Sequence, residues 1–452
     1  MSQRLPLWSH PRPDSVVARR GGDAIATAQL LADAVALADR LPEANYVFNG
    51  CDDRYWFTVG MAAALMRGQI SILPNNQTPH TLSQLAGDYE RLYALRDSDA
   101  PAGPLPCVRI DAHRAHDARG TVPQFDGDRI AAVLFTSGST GRPVAHPRRW
   151  STMVASAQAE ALRLGIAGLE LSILGTVPPQ HSYGLESTVM LALHGGGSLC
   201  ASRPFFPADV FAELAALPQP RMLVTTPVHL RALLAAATDA PPVGRILCAT
   251  APLATDLATA AERRFGAELI EIYGATESGQ LATRRTTAES QWTTLPEVRI
   301  ECVDGVAHAC GGHVPGRVAL SDVLQLRDPQ RFALVGRSAD MVNIGGKRSS
   351  LAFLNQVLLG IDGVDDGAFC VVNSSDDAAL RLVALVVAPA LSDEQILAAL
   401  RERIDPLFLP RPLRRVDSLP RDATGKLSAA ALQAIASRAG VDSRGGNCGQ
   451  CP

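Results

Sequence analysis

Apolar residues recur at helical spacing over residues 24–41, AIATAQLLADAVALADRL, and predict an amphipathic helix there. The stretch WFTVGMAAALMRG (56–68) reads as a buried helix, and QISILP (69–74) as a strand. Beyond residue 120 another regularity takes over. Five times, an apolar strand-like run empties into a short polar loop bearing Gly or Pro. IAAVLF runs into TSGSTG, LSILGT into VPPQHSYG, RMLVTT into PVHL, RILCAT into APL, and AELIEIY into GATESG. Alternation of such runs with helical stretches predicts α/β layering. Ligands of open α/β sheets bind beyond the carboxyl ends of the strands, so these loops are expected to converge on one crevice. Ordinary turns account for the glycines and prolines, but not for the concentration of Thr, Ser, His and Glu.

After residue 337 the texture changes. GAFCVVNSSDDAALRLVALVVAP reads as two strands around a polar turn, and SDEQILAALRERI as a helix with Ser392 and Gln395 at capping-box spacing. At 452 residues the chain exceeds one ordinary core. The expected architecture is a large multi-layer α/β N-terminal domain, residues 1–337, with sheets flanked by helices. A small α+β C-terminal domain, 338–437, and a flexible tail, 438–452, follow.

Composition narrows the class. Apolar residues make up 47% and charged residues 19%, as in a well-packed globular protein. The formal charge of −3 and the lack of a long basic run argue against a nucleic-acid partner. No window reaches the roughly 18–20 apolar residues of a membrane span. The N-terminus MSQRLPLWSHPRPDS has no apolar signal core, so a cytoplasmic location is expected. The nine cysteines show no framework spacing, consistent with reduced thiols. Cys448 and Cys451 form a C-x-x-C pair, but no second pair sits nearby and the flanking SRGGN reads as tail.

The loop TSGSTG can offer backbone N–H groups and hydroxyls to a polyphosphate. It is not a Walker A loop, because Gly141 is followed by Arg142 and Pro143 rather than by a lysine. Of 42 basic residues only two are lysines, Lys347 and Lys426. A lysine retained in so arginine-rich a chain suggests a chemical need for a compact, mobile ammonium.

TSGSTGxP, then PPxHxxG, then YGATE, then an aspartate fourteen residues before GR, then PRDATGK follow in this order. Together they resemble the adenylate-forming (AMP-binding) superfamily of acyl- and aryl-CoA ligases, peptide-synthetase adenylation domains and luciferases. The short chain and the variant TSGSTGRPVAHPRRW are most similar to small ligases of bacterial aryl-polyene, xanthomonadin-type pigment clusters. The resemblance spans about 115–430 and implies ATP and Mg²⁺ as cofactors. It also implies a small carboxylic acid as substrate, and CoA or a phosphopantetheinyl acyl carrier protein as acceptor.

It assigns roles as well. Thr136, Ser137, Gly138, Ser139, Thr140 and Gly141 would cradle the β- and γ-phosphates. Tyr273, followed by Gly274, would stack on adenine; Thr276 would bond the α-phosphate; Glu277 would hold Mg²⁺. His181 would line the passage between acyl and nucleotide sites. Asp322, where the family has T-G-D, would clamp the ribose hydroxyls, with Arg337 nearby. Lys426 would touch the acyl carboxylate and the α-phosphate together. The family's loop lysine is replaced by Val144, with His146, Arg148 and Arg149 just beyond as possible substitutes. Its hinge Asp or Lys is replaced by Ala339, followed by Asp340. Lys347 is open between a role in the thiol half-reaction and a surface position. Ser182, Tyr183, Ala249 and Thr250 are, with His181 and Gly274, candidates for the acyl pocket.

The function expected is ATP-dependent activation of an aryl acid such as a hydroxybenzoate, followed by transfer to a thiol. A fatty acid is the alternative substrate. A non-catalytic nucleotide- or acyl-binding subunit is the alternative of another class, and a P-loop NTPase is a weaker rival.

Overall fold

The structure is a computed structural model. It describes residues 3–438 apart from 75, 100–101, 111–119, 138–142, 338–340, 345–346, 374–379 and 423–424. Gly138, Ser139, Thr140 and Gly141 of the phosphate loop, Ala339, Asp340 and the Cys448/Cys451 pair therefore lie outside the described residues.

Two sheets dominate. In the eleven-stranded sheet, six neighbouring strands run parallel: Glu268–Ala275, Arg245–Cys248, Arg221–Thr225, Ser172–Gly175, Ser198–Cys200 and Val16–Arg20. Antiparallel strands extend it at both edges, ending in the pair Asp322–Asp328 and Arg331–Arg337. The six-stranded sheet carries the antiparallel hairpin Ile130–Ser137/Pro143–Arg149 at one edge. One continuous core joins the two sheets. Val47, Leu73 and Leu134 of the smaller sheet share it with Ile173, Val224 and Leu247 of the larger. Leu30, Phe57, Met61 and Trp150, from three helices, fill the same core.

Four of the five strand-to-loop runs thus lie side by side in the larger sheet. The fifth, ending in the phosphate loop, belongs to the smaller one, so the loops gather from two sheets. The helix expected over 24–41 is shorter, Thr27–Ala38. Asp23–Ala26 is drawn into a hairpin with Val16–Arg20, where ladder hydrogen bonds outweigh helical periodicity. Arg54–Arg67 matches the expected buried helix and begins with Asp53 as N-cap.

Arg54 is wholly buried, with no carboxylate partner among its hydrogen bonds. Its guanidinium instead donates to the carbonyls of Gly175, Val177, Cys200 and Ser202, at 2.8–3.0 Å. It thereby fixes the carboxyl ends of two adjacent strands. A Cβ on Gly175 would sit 2.8 Å from that guanidinium, so glycine is required there.

The C-terminal residues have cores of their own. Leu354, Leu358, Phe369, Leu382, Ile396 and Leu400 form one. Ala368, Leu385, Leu432 and Ala436 line the other face of the same small sheet. The expected strands appear as Asp366–Asn373 and Leu380–Val387, and the Ser392/Gln395 capping box forms at helix Asp393–Arg401. Among the described residues no helix is long and apolar enough to cross a membrane.

Glu160, on helix Trp150–Arg163, is fully buried beside Ser187 and Gln280. Burial raises its carboxyl to about 8, so at neutral pH it is largely a neutral acid in the fold and an anion in the unfolded chain. Its contribution to stability is therefore full below about pH 4.5 and is lost as pH rises towards 8. Glu160→Gln should remove a stability slope of up to ~1.4 kcal/mol per pH unit over that window. Urea melts of both proteins at pH 6 and pH 8 measure it; equal losses in the two would contradict the assignment.

Candidate active site

The PPQHSYG segment leaves strand Ser172–Gly175 just past the carbonyls held by Arg54. Gln180 donates to the Cys51 carbonyl at 2.5 Å, and His181 caps the short helix that follows. Gly184 is obligatory, because a Cβ there would stand 1.9 Å from the Pro178 carbonyl oxygen. Burial is the main force on His181 and lowers its imidazole to about 4, leaving it neutral at physiological pH. Asp422, Lys426 and Arg203 lie close enough to add smaller effects.

Strand Glu268–Ala275 delivers the YGATE motif. The Tyr273 hydroxyl donates to Asp322 Oδ2 at 2.6 Å, joining the expected adenine and ribose residues. Phe332 and Trp292 hold the Tyr273 ring, with centroids 5.7 Å away in each case. Asp322 is paired in register with Arg337 across the two edge strands. Gly274 makes the tight return possible, since its Cβ would meet the Gly279 carbonyl oxygen at 2.4 Å. Thr276 and Glu277 occupy the turn, both half-buried. Of the candidate pocket residues, Thr250 carries a φ of 84°, a left-handed conformation strained for a β-branched residue.

Among the described residues no group of three or more His, Cys, Asp or Glu side chains is placed to hold a metal. Mg²⁺ needs no such cage, as it takes most of its ligands from phosphates and water. A single accessible carboxylate such as Glu277 fits that mode.

The phosphate hairpin brings in a third side. Thr136 Oγ1 and His146 Nε2 share a hydrogen bond of 2.9 Å across its strands. Arg149 turns outward to Asp128 at 2.7 Å and is largely exposed. Arg148 turns inward and is buried. Its Nη2 donates to Glu186 Oε1 at 2.9 Å, and the same oxygen accepts from Ser182 at 3.2 Å. The guanidinium also packs on Gly279, whose Cβ would lie 2.5 Å from Nη2. Arg148 Nε and Nη1 are buried without a hydrogen-bond partner. Burial pushes the Glu186 carboxyl up while Arg148 pulls it back.

The C-terminal motif forms a closed loop. The Asp422 N–H donates to the Lys426 carbonyl at 2.9 Å, and the Lys426 N–H donates to Asp422 Oδ1 at 2.9 Å. Arg421 anchors the loop through a two-pronged pair with Asp366, at 2.6 and 2.8 Å. Gly425, at a φ of +80°, packs against Val228 at the start of helix Pro227–Ala235, where a Cβ would stand 2.9 Å from Cγ2. The loop thus rests on the large part of the molecule, within electrostatic reach of His181.

This arrangement has known counterparts. The sequence model of the AMP-binding enzyme family matches residues 24–322, more than half of the chain. The chain belongs to the AMP-binding enzymes. A 4-coumarate–CoA ligase of Rhodobacter capsulatus is 30% identical over 300 residues, covering 65% of this chain and 74% of that protein. The medium-chain fatty-acid–CoA ligase of Escherichia coli is 25% identical over 436 residues, 86% of this chain and 74% of that one. In fold, the o-succinylbenzoate CoA synthetase of Bacillus subtilis, solved with its acyl-adenylate, superposes with a TM-score of 0.82. It is 20% identical and covers 95% of this chain and 98% of its own.

In this AMP-binding enzyme Tyr273 meets Asp322, Thr136 is bonded to His146 within electrostatic reach of Glu277, and Lys426 lies within such reach of His181. Sequence reasoning missed Arg54, Glu186 and the Arg421–Asp366 anchor. An arginine opening an apolar helix is the one trace that Arg54 leaves; the other pairings join residues 38 and 55 apart and leave none.

Arg148→Met, which strands Glu186 as a buried unpaired charge, should cost about 3–5 kcal/mol of stability. Arg148→Met combined with Glu186→Leu should recover most of that loss. Denaturant unfolding of the single and double variants tests the pairing, and equal stability of the two would refute it.

Proposed function

We propose that this AMP-forming acid–thiol ligase activates an aryl acid of the hydroxybenzoate kind and passes the acyl group to a phosphopantetheine thiol, on CoA or a carrier protein. What supports the reading is the Tyr273–Asp322 pair beside the Glu277 turn, together with the Lys426 loop within electrostatic reach of His181.

In this reading Tyr273 holds the adenine and Asp322 the ribose hydroxyls, with Arg337 beside it. Thr136 and Ser137 open the phosphate cradle that Gly138, Ser139, Thr140 and Gly141 complete. Thr276 bonds the α-phosphate. Bound at Glu277, Mg²⁺ would neutralise charge on the phosphates. The acid's carboxylate oxygen attacks the α-phosphorus, a C–O–P linkage forms, and the P–O bond to pyrophosphate breaks. Two anions must meet for this to happen, so catalysis rests on fixed positive charge. Lys426 supplies it where carboxylate and α-phosphate approach. His181 stays neutral and adds no charge of its own to that approach. The thiol then attacks the carbonyl carbon and releases AMP. Residues 338–437 form the mobile domain that carries Lys426 in and out, and 1–337 hold both substrates.

The choice of an aryl acid draws support from the sequence of the phosphate hairpin. The variant loop TSGSTGRPVAHPRRW is most similar to that of small ligases from aryl-polyene pigment clusters. Relatives act on both classes by name, 4-coumarate and medium-chain fatty acids.

Acid-dependent ATP–pyrophosphate exchange with panels of aryl and fatty acids tests the proposal. Aryl acids should support exchange, and Lys426→Ala should lower it by about 10²–10³-fold. Exchange with fatty acids alone would move the substrate class. ATP binding without exchange for any acid would replace catalysis by a binding role.

A further inference from the structure

The family's loop lysine position holds Val144, yet polyphosphate still has to be gripped there. Residues 144, 146 and 148 alternate onto one face of strand Pro143–Arg149, and Thr136 lies opposite Val144 on that face. Of the three groups that could stand in for the lysine, Arg149 is spent on Asp128 at the surface and Arg148 on Glu186 in the interior. His146 alone of them is half-buried and bonded to a residue of the phosphate loop, Thr136, at 2.9 Å. Glu277 on the neighbouring turn and Arg148 on its own strand act on the imidazole with opposite signs.

We propose that His146 is the positioning residue that takes over from the missing lysine, holding the Thr136 hydroxyl so that it serves the phosphates of ATP. A threonine hydroxyl has one hydrogen to give. If Thr136 donated to the imidazole, that hydrogen would be lost to the nucleotide. With the hydrogen on Nε2, the imidazole donates to Thr136 Oγ1, and the threonine O–H is turned towards a phosphate oxygen. The lysine's function is thus divided: a neutral ring orients a donor, and the charge comes from elsewhere in the site. This inference rests on the adenylation reading and adds to it a residue that the motif does not contain.

The test measures ATP affinity by calorimetry and KM values by pyrophosphate exchange on the full chain. His146→Ala should raise the ATP Kd and the KM for ATP and pyrophosphate about tenfold, the scale of one lost hydrogen bond, with the KM for the acid unchanged. His146→Gln, whose amide can donate to Thr136, should stay within about threefold of wild type. Adding Thr136→Val to His146→Ala should bring little further loss, because the effect passes through that hydroxyl. Val144→Lys in the His146→Ala background should restore ATP binding from the same strand face. Unchanged ATP parameters in His146→Ala, or equal losses for ATP and acid, would overturn the role while leaving adenylation intact. A wild-type protein that shows no acid-dependent exchange removes the adenylation reading, and the role of His146 with it.

Discussion

The Arg148–Glu186 pair is the constraint on which the site's geometry depends. Arg148 comes from the hairpin that ends the smaller sheet, and Glu186 from the π-helical segment behind the His181 turn. The guanidinium also lies against Gly279, at the exit of the Glu277 turn. One side chain therefore ties together three motif loops that come from two sheets. Both partners are almost completely buried, at 2% and 4% side-chain exposure, so the pair cannot exchange its bonds for water without exposing a charge. Such a pair adds little net stability compared with apolar residues, but it tolerates few geometries. What it contributes is register between elements that the backbone alone leaves independent.

Around that pair the polar interior is continuous. Gln280 Nε2 donates to Ser187 at 2.6 Å, its backbone carbonyl accepts from His313 Nε2 at 2.6 Å, and Glu160 lies beside both Gln280 and Ser187. The Glu277 turn is thus backed by polar side chains, of which Gln280, Ser187 and His313 are joined by hydrogen bonds.

The C-terminal loop meets this rigid frame differently. Within its own part it is firmly held, by the Arg421–Asp366 pair and the two hydrogen bonds between Asp422 and Lys426. Against the large part Gly425 packs on Val228, and Asp422 and Lys426 act electrostatically on His181. One of the chain's two lysines stands in this loop, a compact ammonium on a flexible stem among basic residues that are otherwise arginine.

Much of this was legible in the sequence. Strand-to-loop punctuation located the ends of four strands that lie side by side, because hydrophobic period and turn chemistry are local properties. The capping box at Ser392 and the buried helix at 54–67 follow from the same local rules. The ordered motifs named Tyr273, Glu277, Asp322 and Lys426. Other features were set only by tertiary structure, since their partners are distant in the chain. Asp23–Ala26 became an edge strand because a neighbouring strand offered ladder bonds. Arg54 became the clamp of four carbonyls, and Glu160 a neutral acid, through what surrounds them. Among His146, Arg148 and Arg149 the sequence left three equivalent candidates. Strand alternation and the available partners gave each a different place, because a side chain's charge and bonds depend on the face it occupies.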